Sequence, residues 1–185
     1  MPRKPIIPRI DFSDAMPFKI EGVYCKLISL TQRQFAILEL EDFERLNRFN
    51  WWAAFAENTQ TFYAIRYVNG RRVKMQNEVT GHLWTDHANN VTLDNRRKNL
   101  READKTQSSC NRRKPKSNTS GYKGVMWRGN RRHWIAEIAF EGKTIYIGSY
   151  KQKIAAARAY DAKAIELHGE FARLNFPRWP ITAEL

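Results

Sequence analysis

The chain has 185 residues, 42% hydrophobic, 12% aromatic and 28% charged, with a formal net charge of +13. That much apolar and aromatic material can build a packed core, as one domain or two small ones, and excludes a wholly disordered protein. No apolar run approaches the ~18 residues of a membrane helix. The basic, proline-broken start MPRKPIIPRIDF lacks a signal peptide's apolar stretch, so a cytoplasmic protein without a membrane partner is expected.

The charge is unevenly spread. Residues 1–94 carry 12 basic and 11 acidic side chains, net +1, whereas residues 95–185 carry 20 and 8, net +12. A polyanion met chiefly by the second half is implied. Cys25 and Cys110 lie far apart without CxxC spacing, which suits reduced thiols better than a disulfide or zinc.

In chain order, residues 1–18 read as a flexible arm with four prolines. Between Val23 and Leu40, YCKLISL and QFAILEL are predicted strands around a turn at Thr31–Gln34. Phe43, Leu46 and Phe49 then give the spacing of a short amphipathic helix over Glu41–Phe49. NWWAAFAE and TFYAIRYV are predicted strands, and Asn69–Gly70 is a two-residue hairpin turn leading into RRVKM. Trp51 and Trp52 are expected in core and platform roles.

Thr85–Arg101, TDHANNVTLDNRRKNLR, is the stretch with chemistry in it. The Asp86 carboxylate can hold a hard cation, and the His87 imidazole beside it can take a proton from water. The arginines can neutralise a polyanion. A basic surface loop ending in a helix N-cap is the competing reading of the same residues. Leu83–Thr85 is predicted as a strand end, Ala88–Thr92 as a turn and Leu93–Arg97 as a second strand or loop, with a helix from about Lys98 to Arg112. An extended segment sends Asp86 and His87 to opposite sides. Asn95–Lys116 holds nine basic residues against two acidic ones, a strip suited to phosphates that includes Arg96, Arg97, Arg112 and Arg113. Asn111–Thr119, NRRKPKSNT, reads as a linker.

YKGVMW, HWIAEIAF and KTIYIGSY are three further predicted strands, with turns at Arg128–Arg132 and Glu141–Gly142. Gln152–His168 is a predicted helix with Ile154, Ala157, Tyr160, Ala164 and Leu167 near one face, stopped at Gly169. Trp134 and Tyr160 are expected in the core. Arg131, Arg132 and Lys143 are candidate DNA contacts on charge alone.

The pattern DH…LDNRRKNLR resembles the centre of phage-type HNH homing endonucleases of the ββα-metal class, closely over residues 85–101 and loosely over about 24–112. The resemblance implies that Asp86 is a metal ligand and His87 the general base, with an asparagine, Asn95 or Asn99, bracing the turn. It implies one divalent ion, Mg2+, and hydrolysis of double-stranded DNA. That family's helical Gln-Asn pair corresponds here to Gln107–Ser108, leaving Asn111, one turn on, as a substitute ligand and Gln107 as another. Its usual His-Arg pair is here Gln76–Asn77.

SGYKGVMW…WIAEI…IYIGSY…AAARAYD…HGEFARLNFP, over about residues 120–177, is similar to the plant ethylene-response-factor (Apetala-two) DNA-binding domain. The resemblance puts Lys123, Met126, Arg128, Glu137, Thr144 and Tyr146 on the DNA-facing side of a sheet. Met126, Ala139 and Thr144 stand where plant members commonly have arginine, so their base preference does not transfer.

The expected fold is α+β: a β-rich N-terminal region with a ββα-metal HNH centre, linked to a three-stranded antiparallel sheet packed on one helix. The expected domains are an arm (1–18), a nuclease-like domain (19–112), a linker (113–119), a DNA-binding domain (120–177) and a tail (178–185). The expected function is metal-dependent cleavage of duplex DNA, with a non-cleaving DNA-binding regulator as the rival. No obligate protein partner is evident.

Overall fold

The computed structural model describes residues 15–57, 59–115, 117–129 and 132–176. Most of the expected arm, the tail at 178–185 and Arg131 lie outside the described residues. The chain is α+β, with small antiparallel sheets, and divides into two compact units, one through Ser108 and one from Ser109.

In the first unit, β1 (Phe18–Ile20), β2 (Val23–Ser29) and β3 (Phe35–Glu39) form one antiparallel sheet. Alternation along β2 and β3 sends Ile28, Ala36 and Leu38 inward. α1 (Leu40–Asn47) buries Phe43 and Leu46 in the same core, while Phe49 falls beyond its end. Trp51 is fully buried there, its indole donating to the Leu46 carbonyl at 2.9 Å.

β4 (Trp52–Ala56), β5 (Thr61–Val68) and β6 (Arg71–Lys74) form a second antiparallel sheet. Asn69 and Gly70 both have positive φ, 49° and 73°, the backbone that a tight hairpin turn needs. Ala53 and Ala64 turn one sheet face into the core, together with Phe62. α2 (Met75–Thr80) follows and adds Met75 and Val79 to the core.

The next elements depart from the sequence expectation. β7 (Thr85–His87) pairs with β8 (Leu100–Glu102), and a 3-10 turn at Arg97–Asn99 precedes β8. The helix expected from about Lys98 begins only at Lys105, as α3 (Lys105–Cys110). Two features oppose early helix. The Asn99 amide is tied back to the turn, donating to the Asp94 carbonyl at 2.7 Å. Leu100 and Arg101 then alternate, the first into the core and the second across to Asp86.

In the second unit, β9 (Val125–Arg128), β10 (His133–Phe140) and β11 (Lys143–Tyr150) form an antiparallel sheet with β10 in the middle. The 16-residue α4 (Lys153–His168) packs on it. Alanines 156, 157 and 164 let the helix lie close, with Val125, Ala136 and Ile138 opposite. The buried stripe starts at Ala156, so Ile154, expected on it, is 49% exposed.

A single knot explains three of this unit's sequence signatures. Asp161 accepts hydrogen bonds from the backbone N–H groups of Asn175 and Phe176, both at 2.8 Å. The Asn175 side chain accepts from the Lys123 N–H at 2.6 Å and donates to the Lys123 carbonyl at 3.1 Å. Gly124 sits at φ +71°, and a Cβ there would lie 2.0 Å from the Tyr160 ring. YKGV, ARAYD and LNFP thus meet in one place, joining the start of β9, α4 and the chain after it.

Candidate functional site

β7 and β8 pair Asp86 directly with Arg101. Arg101 Nη2 donates to Asp86 Oδ2 at 2.9 Å, and the Ser108 hydroxyl on α3 donates to Oδ1 at 3.4 Å. Ser108, at the position where the resemblance leads one to expect an asparagine, therefore does face the carboxylate. Asn111 is buried and belongs to the second unit.

His87 points the other way and is only 4% exposed. Its Nε2 lies 3.2 Å from Oδ1 of Asn95, itself 1% exposed. Asn95 Nδ2 donates to the Leu93 carbonyl at 3.3 Å, which fixes the amide with its oxygen toward the ring. Nε2 therefore carries the proton and Nδ1 the basic lone pair. Burial pushes the imidazole down to about 4, against the Asn95 hydrogen bond and the charges of Asp86 and Asp94. The ring is neutral at neutral pH, as a general base must be.

The two asparagines left open by the sequence have different partners. Asn95 holds the imidazole. Asn99 holds the turn, accepting from the Asn89 N–H at 3.0 Å and donating to the Asp94 carbonyl. Asn89 adds a side-chain hydrogen bond to Asp94 at 3.0 Å, a brace that nothing in the sequence signalled.

Arg96 and Arg97, expected on DNA phosphates, both pair with carboxylates of this unit. Arg96 is 7% exposed and donates to both oxygens of Asp94 at 2.8 Å and to Glu21 at 3.2 Å. Burial pushes the Asp94 carboxyl up, but hydrogen bonds and charge from Arg96 more than reverse this. Arg97 donates to both oxygens of Asp42, at 2.8 and 2.9 Å, from a half-exposed position. Both corrections have one cause: a buried carboxylate is stable only when paired, and these arginines pair it.

Among the described residues no group of three or more His, Cys, Asp or Glu side chains converges as a metal cage. The donor set at Asp86 fits a different arrangement. One carboxylate oxygen and one hydroxyl, 3.4 Å apart, are oxygen ligands that a hard cation can share while water and phosphate complete its shell.

In the second unit, Met126, Arg128, Arg132, Lys143, Thr144 and Tyr146 are exposed, and Glu137 is partly so. Glu137 pairs with Tyr146 and Ala139 with Thr144, so these four share one sheet face. A bulge between Ala136 and Glu137 resets the register there. Lys123, expected on the DNA-facing side, is turned inward: its ammonium donates to the Cys110 carbonyl at 2.6 Å, and burial pushes its pKa down to about 8. Arg112 and Arg113 are exposed after α3.

This fold and this centre define an HNH endonuclease-like protein with an AP2-type domain at its C-terminal end. Protein 3.8 of Escherichia phage T7 is 38% identical over 92 residues, 50% of this chain and 75% of the phage protein, and the chain belongs to the same family as that protein. An uncharacterised HNH endonuclease of Acanthamoeba polyphaga mimivirus is 26% identical over 161 residues, covering 83% of this chain and 81% of the viral one. The APETALA2-like protein 2 of Oryza sativa subsp. indica is 42% identical over 65 residues, 35% of this chain and 15% of the plant protein. No family model matches the chain, and no solved structure matches it. No helix among the described residues is long and apolar enough to cross a membrane.

Proposed function

We propose that this protein is a DNA-binding endonuclease of the phage homing type, hydrolysing phosphodiesters of double-stranded DNA with one divalent ion, Mg2+, in a host-cell cytoplasm. The observation that carries the reading is the hairpin that sets a neutral, Asn95-oriented His87 beside a carboxylate facing a helix hydroxyl. β7, β8 and α3 are the ββα-metal element. Residues 19–112 form the nuclease part, 113–119 the linker and 120–177 the DNA reader.

Asp86 and Ser108 would hold the ion, which would supply charge stabilisation at the scissile phosphate and its leaving oxygen. His87 takes the proton of the attacking water on Nδ1, and Asn95 Oδ1 continues to accept from Nε2 as the ring becomes charged. Arg101 keeps Asp86 ionised and in place. In the reader, Arg128, Arg132 and Lys143 meet phosphates or guanine edges. Tyr146, Thr144 and Met126 pack on sugars and bases, and Glu137 accepts from base amino groups.

The test is supercoiled plasmid with magnesium. Wild type nicks it, and chelation with EDTA stops nicking but not binding. His87→Ala binds the same DNA without nicking. A second reading, a DNA-binding protein that does not cleave, is favoured by the 4% exposure of His87 and the engagement of Asp86 by Arg101. Bound but un-nicked plasmid with both wild type and His87→Ala establishes it in place of the first.

A further inference from the structure

The Asp86 carboxylate is engaged on both of its oxygens. Arg101 Nη2 and Nε both donate to Oδ2, at 2.9 and 3.3 Å, while the Ser108 hydroxyl lies 3.4 Å from Oδ1. The Arg101 side chain is 16% exposed and that of Asp86 12%, so solvent screens their attraction only in part. The pairing is built into the backbone. Asp86 and Arg101 stand directly opposite each other on β7 and β8. The Ala88 N–H donates to the Asn99 carbonyl at 2.9 Å, and the Ala103 N–H to the Trp84 carbonyl at 3.2 Å, which ties both ends of that ladder. Charge around the site is also balanced. Asp86 and Asp94 both bear on the His87 ring, and so does Lys74. Arg101 neutralises the first carboxylate and Arg96 the second. A hard cation is ordinarily held by several carboxylates, and its affinity follows their count. No such cage forms among the described residues.

We propose that Arg101 gates the ion: it occupies the Asp86 carboxylate in the free protein, so that a divalent cation is taken up there only together with a DNA phosphate. The proposal rests on the nuclease reading and concerns the order in which that site assembles. Without DNA, Asp86 would have to divide one negative charge between a guanidinium and a doubly charged ion, which repel each other. A backbone phosphate brings the further negative charge and a further oxygen ligand. It also gives the Arg101 fork a second anion to pair with, so the guanidinium is never left part-buried without a counter-charge. Ser108 cannot make up the deficit, because a hydroxyl donates an oxygen but no charge. The coupling is reciprocal: DNA and ion tighten each other's binding by the same factor. Arg101 is thus a positioning residue that keeps the hydrolytic ion away until substrate is seated.

The experiment titrates the full chain with Mn2+ and reads the free ion by electron paramagnetic resonance. Without DNA, wild type binds the ion weakly. Arg101→Gln removes the guanidinium charge and binds Mn2+ about 5- to 150-fold more tightly, the usual span of a coupling between two sites. Mn2+ also raises the melting temperature of this variant and leaves that of wild type unmoved. Adding Asp86→Asn to Arg101→Gln abolishes the gain, which locates the ion at Asp86. A duplex carrying the mapped nick site tightens Mn2+ binding in a His87→Ala chain, after subtraction of the ion held by the duplex alone. If Arg101→Gln melts early, Ser108→Asp replaces it. That variant supplies a second carboxylate facing Oδ1 with Arg101 in place, and its free-chain affinity also rises. Free-chain Mn2+ affinity equal to that of wild type in the folded variant overturns the gate, even in a chain that nicks plasmid, and so does a duplex that brings no gain. Tight binding by Arg101→Gln in a chain that never nicks supports the gate and removes the nuclease reading instead.

Discussion

The two units place their basic side chains differently. In the first, Arg96, Arg97 and Arg101 each close on a carboxylate, Asp94, Asp42 and Asp86. In the second, Arg128, Arg132 and Lys143 stand exposed on the β9–β10–β11 sheet and its turns. A basic run therefore counts toward DNA only after its internal partners are subtracted. Much of the positive strip around 96–101 is consumed in holding the turn between β7 and β8. Its counterpart on the sheet is left for a polyanion.

The sharpest way to separate the two roles is at His87 against Arg128. His87→Ala lowers nicking about 100- to 10,000-fold with binding intact, the range for loss of a general base, measured on supercoiled DNA at fixed enzyme excess. Arg128→Ala does the reverse, leaving saturated nicking in place and reducing the salt slope of binding by about one unit. Next is stability. Arg96→Ala strands the buried Asp94 charge and costs about 3–5 kcal/mol in denaturant unfolding, whereas Arg132→Ala stays within about 0.5 kcal/mol. Equal midpoints for these two variants would break the contrast between brace and reader.

Within the second unit, Gly124→Ala forces a methyl against the Tyr160 ring and costs about 1–3 kcal/mol or more. Asn175→Ala removes three side-chain hydrogen bonds at the same knot and costs about 1–3 kcal/mol, read from the same unfolding curves. The effect at Lys123 shows itself only as a pH dependence. Its folded pKa is about 8 against an ordinary 10.5, so between those values the unfolded chain binds the extra proton. Wild type therefore gains stability as pH rises from about 8 to 10.5 and loses that gain as pH falls back. Lys123→Met removes this component. Parallel melting curves for the two proteins between pH 7.5 and 10 would place the lysine in solvent.

What the sequence made legible was local. Asn69–Gly70 announced its turn because two adjacent left-handed residues have few sequence solutions. The three strands and helix of the second unit were legible from alternation and from the ordered signatures. The Asp86–His87 pair was visible as chemistry, though not which asparagine held the imidazole. Asn95 and Asn99 differ only in which way the chain turns between them. Partners far along the chain were invisible: Asp42 for Arg97 and Glu21 for Arg96. The helix expected at Lys98 failed for a related reason, because a three-residue strand after a tied-down asparagine has no periodicity long enough to read. Lys123 was misplaced because a motif lysine in a DNA-binding resemblance suggests a phosphate, while its own chain supplies a carbonyl.

The loop between β7 and β8 is sewn to its surroundings at several points. Ile37 on β3 exchanges backbone hydrogen bonds with Leu93 and Asn95, at 2.8 and 2.9 Å, and the Thr92 hydroxyl donates to the Phe62 carbonyl on β5 at 2.6 Å. An engineer wishing to transplant this hairpin onto another scaffold could not lift out residues 85–110 as a cassette. The hairpin takes its shape from seams to strands 30 or more residues earlier, and a graft would have to bring the cloth along with the stitch.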